Sequence, residues 1–335
     1  MYFKDFLRYR QSWLGVALLW VILFHLPFDL GPLQYLKTIG YGGVDICFFA
    51  SGVGCFYSLS SNPNVFSFIK RRLKRLIPTY LIFIIAWLIF QYTCGNFGFQ
   101  MAIGNLLALQ SLTGNEHAFN WYISAIFLFY LLAPYLKAIA EQKNTVHKIV
   151  FLIFLLICSI PFWNASTYII IITRLPIFYL GMLFADICEK GTLIDKRGII
   201  TLTIAFIFGL GSLLFAFLFA NQYLWSCGLF WYPFILITPP LCLAISYISM
   251  ILEKAKATSR IVGFLSLCGN YSFELYLLHI LMFSIIPKVI SYFNHSAVHY
   301  FIWAIGFACI PIGCFILRRL TALFNHIIEN FSISN

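Results

Sequence analysis

Charged residues are scarce in this sequence, and acidic residues are the scarcest. Of 335 residues only 10% are charged, with 11 Asp and Glu against 22 Lys and Arg. A soluble globular domain carries about 25% charged residues, so an ordinary water-exposed fold is excluded. Hydrophobic residues make up 61% of the chain, in apolar runs close to the length that spans a bilayer. The sequence predicts one all-α membrane domain over 1–335, with no separate soluble domain.

Several signatures of soluble enzymes are also missing. The 10 cysteines occur singly, with no CxxC pair and no His/Cys cluster at metal-ligand spacing, so we expect core packing and no metal. The glycine-rich stretch 40–43 follows no predicted strand, and there is no GxGxxG, Walker, HExxH or GxSxG motif. We also find no internal repeat and no low-complexity segment.

Ten hydrophobic segments are predicted to span the membrane. The first contains His25 and lacks a small-residue cleavage site, so we expect it to stay as a span rather than be removed as a signal peptide. An even number of spans places both termini on one side of the membrane. The predicted spans are 12–28, 40–60, 77–96, 119–137, 148–164, 168–188, 199–220, 228–252, 268–291 and 298–317.

The basic residues indicate which side that is. All Lys and Arg residues except Lys37, Arg174 and Lys288 fall in the terminal segments and the even-numbered loops between the predicted spans. Because positively charged loops stay in the cytoplasm, both termini are predicted to be cytoplasmic. The same placement explains the net charge of +11 without a nucleic-acid partner.

Two shorter segments are predicted to lie at the membrane surface. Residues 97–118 include an apolar stretch, Met101–Leu112, that is too short to span and would cover an outward-facing chamber. Residues 253–266 are predicted to form an amphipathic helix at the inner surface, with basic residues near the lipid head groups.

Ionisable residues inside the predicted spans are few, and each is a functional candidate because it is costly to place in lipid. At a rise of about 1.5 Å per residue, His25 and Asp45 both fall in the outer third of the membrane. A carboxylate beside a neutral imidazole fixes its tautomer and stabilises its protonated form. We therefore predict that His25 acts as a general base and that Asp45 orients its ring. The alternative is a hydrogen bond that only stabilises the packing of the helices.

Five further residues are candidates for the walls of the chamber or of a passage to it. Asn120 and Trp121 begin the fourth predicted span at the same outer level, and Arg174 lies early in the sixth. Arg174 would bind an acceptor or extend to the outer head groups. In the ninth span, His279 is predicted near the bilayer centre and Glu274 nearer the cytoplasm, where they would line a passage or form a structural polar pair.

Five basic residues directly precede the third predicted span. Arg72 and Arg75 share one face if this stretch is helical. Guanidinium groups bind phosphate with two parallel hydrogen bonds, so Arg71, Arg72 and Arg75 are predicted to hold a nucleotide phosphate that arrives from the cytosol. The alternative is a cluster that only sets topology and attracts anionic lipids. The five are Lys70, Arg71, Arg72, Lys74 and Arg75.

Together these segments resemble the membrane acyltransferase-3 family, integral O-acyltransferases that modify bacterial surface glycans and some antibiotics. The resemblance covers nearly the whole chain. One departure is Leu14, where many members carry an arginine; Arg10 lies one turn further out. The resemblance is carried, in order, by 15–25 (GVALLWVILFH), 43–52 (GVDICFFASG), 72–80 (RLKRLIPTY), 121–126 (WYISAI) and 276–279 (YLLH).

The resemblance implies that an acyl group, usually acetyl, passes from cytosolic acyl-CoA to a hydroxyl of an acceptor beyond the cytoplasmic face of the bacterial inner membrane. It also implies an essential His25 and a role for Arg72 and Arg75 in holding the donor. In the resulting hypothesis the pantetheine arm of acetyl-CoA extends between helices toward His25. Trp121 would stack on a sugar of the acceptor. The expected partners are acyl-CoA, a glycan or lipid-linked glycan, and the bilayer. Direct transfer and an acyl-histidine relay both stay open.

Two other functions stay open from the sequence. A transporter or flippase of an envelope glycan precursor would relay protons through the His, Asp and Glu residues in the membrane. Transporters often contain repeats or broken helices, which we do not find, so the enzyme is favoured. A sensor or scaffold on the same fold would tolerate the loss of both His25 and Asp45.

Overall fold

The computed structural model describes residues 2–110, 119–158, 160, 166–293 and 296–333. Within these ranges the chain is helical, and it has no β-strand beyond an isolated bridge between Tyr2 and Leu193. The prediction of an all-α, polytopic membrane protein is confirmed.

The long helices of the described residues are numbered α1 to α10 in chain order. They are α1 (Arg10–His25), α2 (Gly42–Ser61), α3 (Val65–Thr93), α4 (Trp121–Ala140), α5 (Thr145–Ile157), α6 (Leu175–Glu189), α7 (Lys196–Leu218), α8 (Pro233–Glu253), α9 (Ser272–Ile290) and α10 (Ser296–Ile333). Shorter helices lie at Phe3–Phe6, Gln34–Thr38, Phe99–Leu106, Ser166–Ile172, Gln222–Ser226 and Lys256–Asn270.

Eight helical segments within the described residues are long and apolar enough to cross a membrane. Helices α1, with 16 residues, and α5, with 13 residues, are shorter than the others. The predicted fifth span, 148–164, runs into residues outside the described ranges. The count of ten spans and the cytoplasmic position of both termini therefore stay predictions.

Two helices extend well beyond their predicted spans. Helix α3 begins at residue 65 rather than 77, so the basic cluster lies on its first turns, and α10 continues to residue 333 rather than 317. At about 1.5 Å per residue, α3 and α10 are about 43 Å and 57 Å long, more than the hydrocarbon core of about 30 Å. Their extensions meet, because Lys74 of α3 forms a salt bridge with Glu329 of α10.

Helix α2 lies at the centre of the bundle, packed against α1, α4 and α6. The apolar stretch of the segment that contains α2 is 83% buried, whereas that of α7 is only 17% buried. A Cβ atom at Gly52 of α2 would lie 2.0 Å from the carbonyl oxygen of Phe178, and one at Gly181 of α6 would lie 2.2 Å from that of Phe49. Helices α2 and α6 are therefore in backbone contact, the close approach that small residues permit in membranes.

The helix Lys256–Asn270 approaches α1 equally closely. A Cβ atom at Gly15 would lie 2.0 Å from the carbonyl oxygen of Leu265, and one at Gly269 would lie 1.9 Å from that of Gln11. This helix overlaps the surface helix predicted at 253–266, but it is packed onto the start of α1. Helix α9 begins after this contact, at residue 272 rather than 268.

Candidate active site

Two groups of ionisable side chains mark the two ends of α1. Arg10 is its first residue and His25 its last, which separates them by about 22 Å at 1.5 Å per residue. We call the part of the bundle around Arg10 the basic end and the part around His25 the histidine end.

At the histidine end His25 meets His279 of α9, with ring centroids 5.1 Å apart. In each ring Nδ1 lies near the carbonyl oxygen four residues earlier, 2.8 Å from Val21 for His25 and 2.9 Å from Leu275 for His279. Because a carbonyl oxygen can only accept, neutral rings carry their proton on Nδ1 and keep Nε2 as the basic nitrogen. Both rings line one cavity; His25 is partly exposed, whereas His279 is fully buried and its Nε2 has no hydrogen-bond partner among the described residues.

This contact bears on the predicted depths of the two histidines. The sequence places His25 in the outer third of the membrane and His279 near its centre, but the two rings are neighbours. The pair therefore lies at one level of the bundle, and the depth of each histidine in the membrane stays a prediction.

Asp45 does not contact His25 as predicted, since the structure shows no hydrogen bond between them. Its carboxylate Oδ1 lies 3.6 Å from Nε of Arg174, and both side chains are only 2% exposed. The second carboxylate oxygen, Oδ2, is buried without a hydrogen-bond partner. This pairing is compatible with the predicted depth of Asp45, but the side chain faces Arg174 instead of His25.

Arg174 packs against two tryptophan rings. Its guanidinium carbon lies 5.7 Å from the ring centroid of Trp121 and 5.0 Å from that of Trp231. Trp121 lines the cavity at the histidine end together with His25 and His279. Arg174 therefore contacts a tryptophan of the cavity wall without lining the cavity itself. Because it is fully buried, the structure shows neither of its predicted roles, contact with an acceptor or extension to the head groups.

Asn120 faces the short helix Phe99–Leu106 rather than the cavity. Its side-chain nitrogen lies 3.3 Å from the hydroxyl of Tyr80 and 3.4 Å from the side-chain oxygen of Asn105. The Tyr80 hydroxyl donates to the backbone carbonyl of Asn105. Asn120 thus ties this short helix to α3 and α4. The helix belongs to the predicted surface segment 97–118, of which 111–118 lie outside the described ranges.

Glu274 forms a salt bridge with Arg318 of α10. Two bonds join them, Nε to Oε1 at 2.8 Å and Nη2 to Oε2 at 3.0 Å. The Arg318 guanidinium also lies 3.5 Å from the ring centroid of Tyr271. This is a structural contact between α9 and α10, so Glu274 and His279 do not form the pair considered from the sequence.

At the basic end, Arg10, Arg72 and Arg75 line one cavity. The pKa of Arg10, which lies before the predicted first span, is lowered by burial and by the neighbouring charges of Arg75 and Arg72. The Nε atoms of Arg10 and Arg72 are buried without a hydrogen-bond partner. Within the described residues no acidic side chain forms a salt bridge with any of the three. The cluster is therefore a cationic site without its own anion.

Arg72 is held in place by neutral groups. Its Nη2 donates to the carbonyl oxygen of Gly54 at 2.6 Å. Its guanidinium carbon lies 5.3 Å from the ring centroid of Phe68 and 5.5 Å from that of Tyr130. These contacts orient the guanidinium group and leave its charge uncompensated.

Arg71, the third arginine predicted to bind phosphate, lies apart from the cluster. It is exposed, its Nη1 donates to the Ser67 hydroxyl at 2.8 Å, and its Nη2 donates to the Ser58 carbonyl at 3.3 Å. It does not line the cavity. Consecutive residues of an α-helix point about 100° apart around its axis, so Arg71 is turned away from Arg72.

The cavity at the basic end leads toward the histidines. It has a volume of about 70 Å³, and the cavity at the histidine end has a volume of about 370 Å³. Val21, Val44 and Tyr276 line both. The two cavities therefore adjoin, and we call the two together the passage; the arginine cluster lies at one end of it and the histidine pair at the other.

Arg10 was not among the predicted site residues. Leu14, which stands where many resembling proteins carry an arginine, lines the same cavity one turn from Arg10. Residues four apart lie on the same helix face, so this spacing was the signal in the sequence that Arg10 faces the cavity.

Residues 15–319 match the family model described as an acyltransferase domain. The chain belongs to the acyltransferase-3 family. No curated protein and no solved structure gives a match. The acyltransferase match includes His25, Asp45, Arg72, Arg75 and His279 and begins after Arg10. Among the described residues of this acyltransferase-3 protein, no group of three or more His, Cys, Asp or Glu residues could hold a metal ion.

Proposed function

We propose that this membrane acyltransferase moves an acyl group, most simply acetyl, from cytosolic acyl-CoA to a hydroxyl of an envelope glycan or lipid-linked glycan in the bacterial inner membrane. The observation that supports this most strongly is the passage formed by the two cavities. At one end it has an arginine cluster for which the described residues supply no acidic partner, and at the other end it has His25.

The arginine cluster suits the phosphates of the donor. An unpaired charge is costly to bury. Arg10 and Arg72 are half-buried and Arg75 is exposed, and none of the three has an acidic partner within the described residues. Phosphate groups supply the negative charge that would pair with these arginines, and they match the geometry of the guanidinium group. Beyond the cluster, Leu14, Leu18 and other apolar side chains line the cavity, which suits the thin pantetheine arm better than a charged group.

In this proposal His25 acts on the acceptor. In the proposed step, an acceptor hydroxyl attacks the carbonyl carbon of the thioester while Nε2 of His25 removes the hydroxyl proton. The C–S bond breaks, and the leaving CoA thiolate takes the proton from His25. The products are the acyl ester and free CoA, with His25 neutral again. Holding both substrates at one point of the passage adds to the rate.

His279 and Trp121 shape the same cavity. The buried His279 ring packs beside His25 and offers a second basic nitrogen. Trp121, backed by Arg174, presents an aromatic ring in the cavity wall. We propose that the indole stacks on a sugar of the acceptor.

The donor assignment is tested by thermal unfolding of the detergent-purified protein with acetyl-CoA. A ligand at 100 times its Kd stabilises the folded state by about 2.7 kcal/mol. Acetyl-CoA is expected to stabilise the wild type, His25→Ala and the control Arg71→Ala, because Arg71 lies outside the cavity. Arg72→Ala/Arg75→Ala is expected to lose the stabilisation. His25→Ala should also lose acyl transfer by a factor of about 10²–10⁴, the usual contribution of a general base.

Three results would contradict the proposal. If acetyl-CoA up to millimolar concentration does not stabilise a well-folded wild type, the donor-site assignment is contradicted and a transport function is favoured. An Arg71→Ala variant as impaired as the double variant would remove the assignment to this cavity. Full transfer activity in His25→Ala would remove its role as the base.

A further inference from the structure

A second polar cavity lies beside the arginine cluster, between α3, α9 and the extension of α10. It has a volume of about 320 Å³. Helix α3 contributes Lys74, Arg75 and Thr79, and α10 contributes Arg318, Thr321 and Asn325. We call it the extension cavity, because Thr321 and Asn325 lie beyond the predicted end of the tenth span.

The extension cavity adjoins the donor passage. Arg75, Leu76, Ser272 and Phe273 line both cavities. The arginine cluster and the extension cavity therefore meet at Arg75.

The charges of the extension cavity favour an anion. Its lining includes the cations Lys74, Arg75 and Arg318 and the single acid Glu274. Arg318 is bound to Glu274, whereas Arg75 has no acidic partner in the described residues. The Lys74–Glu329 pair is 53% exposed on both sides, and an exposed ion pair contributes little to stability. Lys74 can therefore turn from Glu329 to a ligand at little cost.

We propose that the extension cavity binds the 3′-phosphoadenosine half of the acyl-CoA donor. The 3′-phosphate would lie near Lys74 and Arg75, and the diphosphate would lie on the other side of Arg75, near Arg10 and Arg72. Thr321, Asn325 and Asn270 offer hydroxyl and amide groups for the polar edge of the base. This inference rests on the proposed function, because it takes CoA as the donor.

The test compares CoA with dephospho-CoA, which lacks only the 3′-phosphate. Binding is measured by calorimetry on the detergent-purified full chain. The wild type is expected to bind CoA at least about tenfold more tightly than dephospho-CoA, because hydrogen bonds to charged groups are stronger than those between neutral groups. Lys74→Gln should reduce this preference severalfold. The matched control is Lys70→Gln, since Lys70 is also exposed, lies one turn earlier on α3 and lines neither cavity.

The outcomes separate the two proposals. Equal binding of CoA and dephospho-CoA by the wild type would overturn the inference and leave the donor site at the arginine cluster intact. A preference that survives Lys74→Gln, or that Lys70→Gln reduces equally, would also overturn it. If neither compound binds, the proposed function itself fails.

Discussion

Arg174 and Arg72 both reach into the bundle, but their surroundings differ in one respect. Arg174 has the carboxylate of Asp45 beside it, whereas Arg72 has a backbone carbonyl, two aromatic rings and two further arginines nearby. The first region is electrically neutral by itself, and the second needs an anion from elsewhere. A buried cation with its own partner supports the structure, and a cation that faces a cavity without one indicates a ligand site.

The largest expected effect follows from removing the carboxylate of the Asp45–Arg174 pair. Asp45→Asn leaves Arg174 buried without a counter-charge, so the free energy of unfolding should fall by about 3–5 kcal/mol. The double variant Asp45→Asn/Arg174→Gln should recover part of this loss, because both charges are then absent. Thermal unfolding of the three proteins in detergent measures both effects.

Asp45→Asn also distinguishes the pairing of Asp45 with Arg174, as in the structure, from the orientation of His25 by Asp45, as predicted from the sequence. If Asp45→Asn kept wild-type stability and lost only acyl transfer, Asp45 would act on His25 as predicted from the sequence. The contact with Arg174 would then be incidental.

A smaller effect is expected at the unpaired cluster. Arg10→Gln removes one of three cations from the cavity and should weaken acetyl-CoA binding about tenfold, the contribution of one hydrogen bond to a charged group. It should not lower stability, since Arg10 has no anion to leave behind. Calorimetry and thermal unfolding without ligand measure the two quantities.

Leu14 offers a rescue of that variant. Leu14→Arg, introduced together with Arg10→Gln, returns a guanidinium group to the same cavity at the position where many resembling proteins carry one. Partial recovery of acetyl-CoA affinity is expected. Unchanged affinity in Arg10→Gln would instead show that Arg10 is a bystander to the donor site.

The smallest effect should come from Arg174→Lys. The charge opposite Asp45 is kept, but the planar group between Trp121 and Trp231 is lost, and a cation–π contact contributes about 0.5–2 kcal/mol. Stability should fall by about that amount, and tryptophan fluorescence should change as the two rings lose their common contact. A loss as large as that of Asp45→Asn would mean that stacking matters more than charge.

The positions of site residues along their helices were largely predictable from the sequence, and their directions around the helix axes were not. His25 and Asp45 follow from hydrophobic segments and a fixed rise per residue. Which neighbour each faces depends on how the helices pack. Asp45 faces α6 because Gly52 and Gly181 bring α2 and α6 into backbone contact, a feature that hydrophobicity does not encode.

The helix ends were the second source of error. The amphipathic first turns of α3 and the last turns of α10 are too polar to count as membrane spans, so hydrophobicity left them out. Long helices continue past the bilayer when their outer turns pair with each other, as Lys74 and Glu329 do. The extension cavity lies at these turns, which is why no sequence pattern indicated it.

The passage confines charge to one of its ends. Its cations lie at the basic end, and apolar side chains line the way toward His25. In the proposed function the polyanionic part of the donor stays behind while an uncharged group travels onward. Moving one elementary charge through the membrane potential involves about 2.3 kcal/mol per 100 mV, but a neutral group does no electrical work. The enzyme would thus perform vectorial chemistry that neither draws on the membrane potential nor dissipates it.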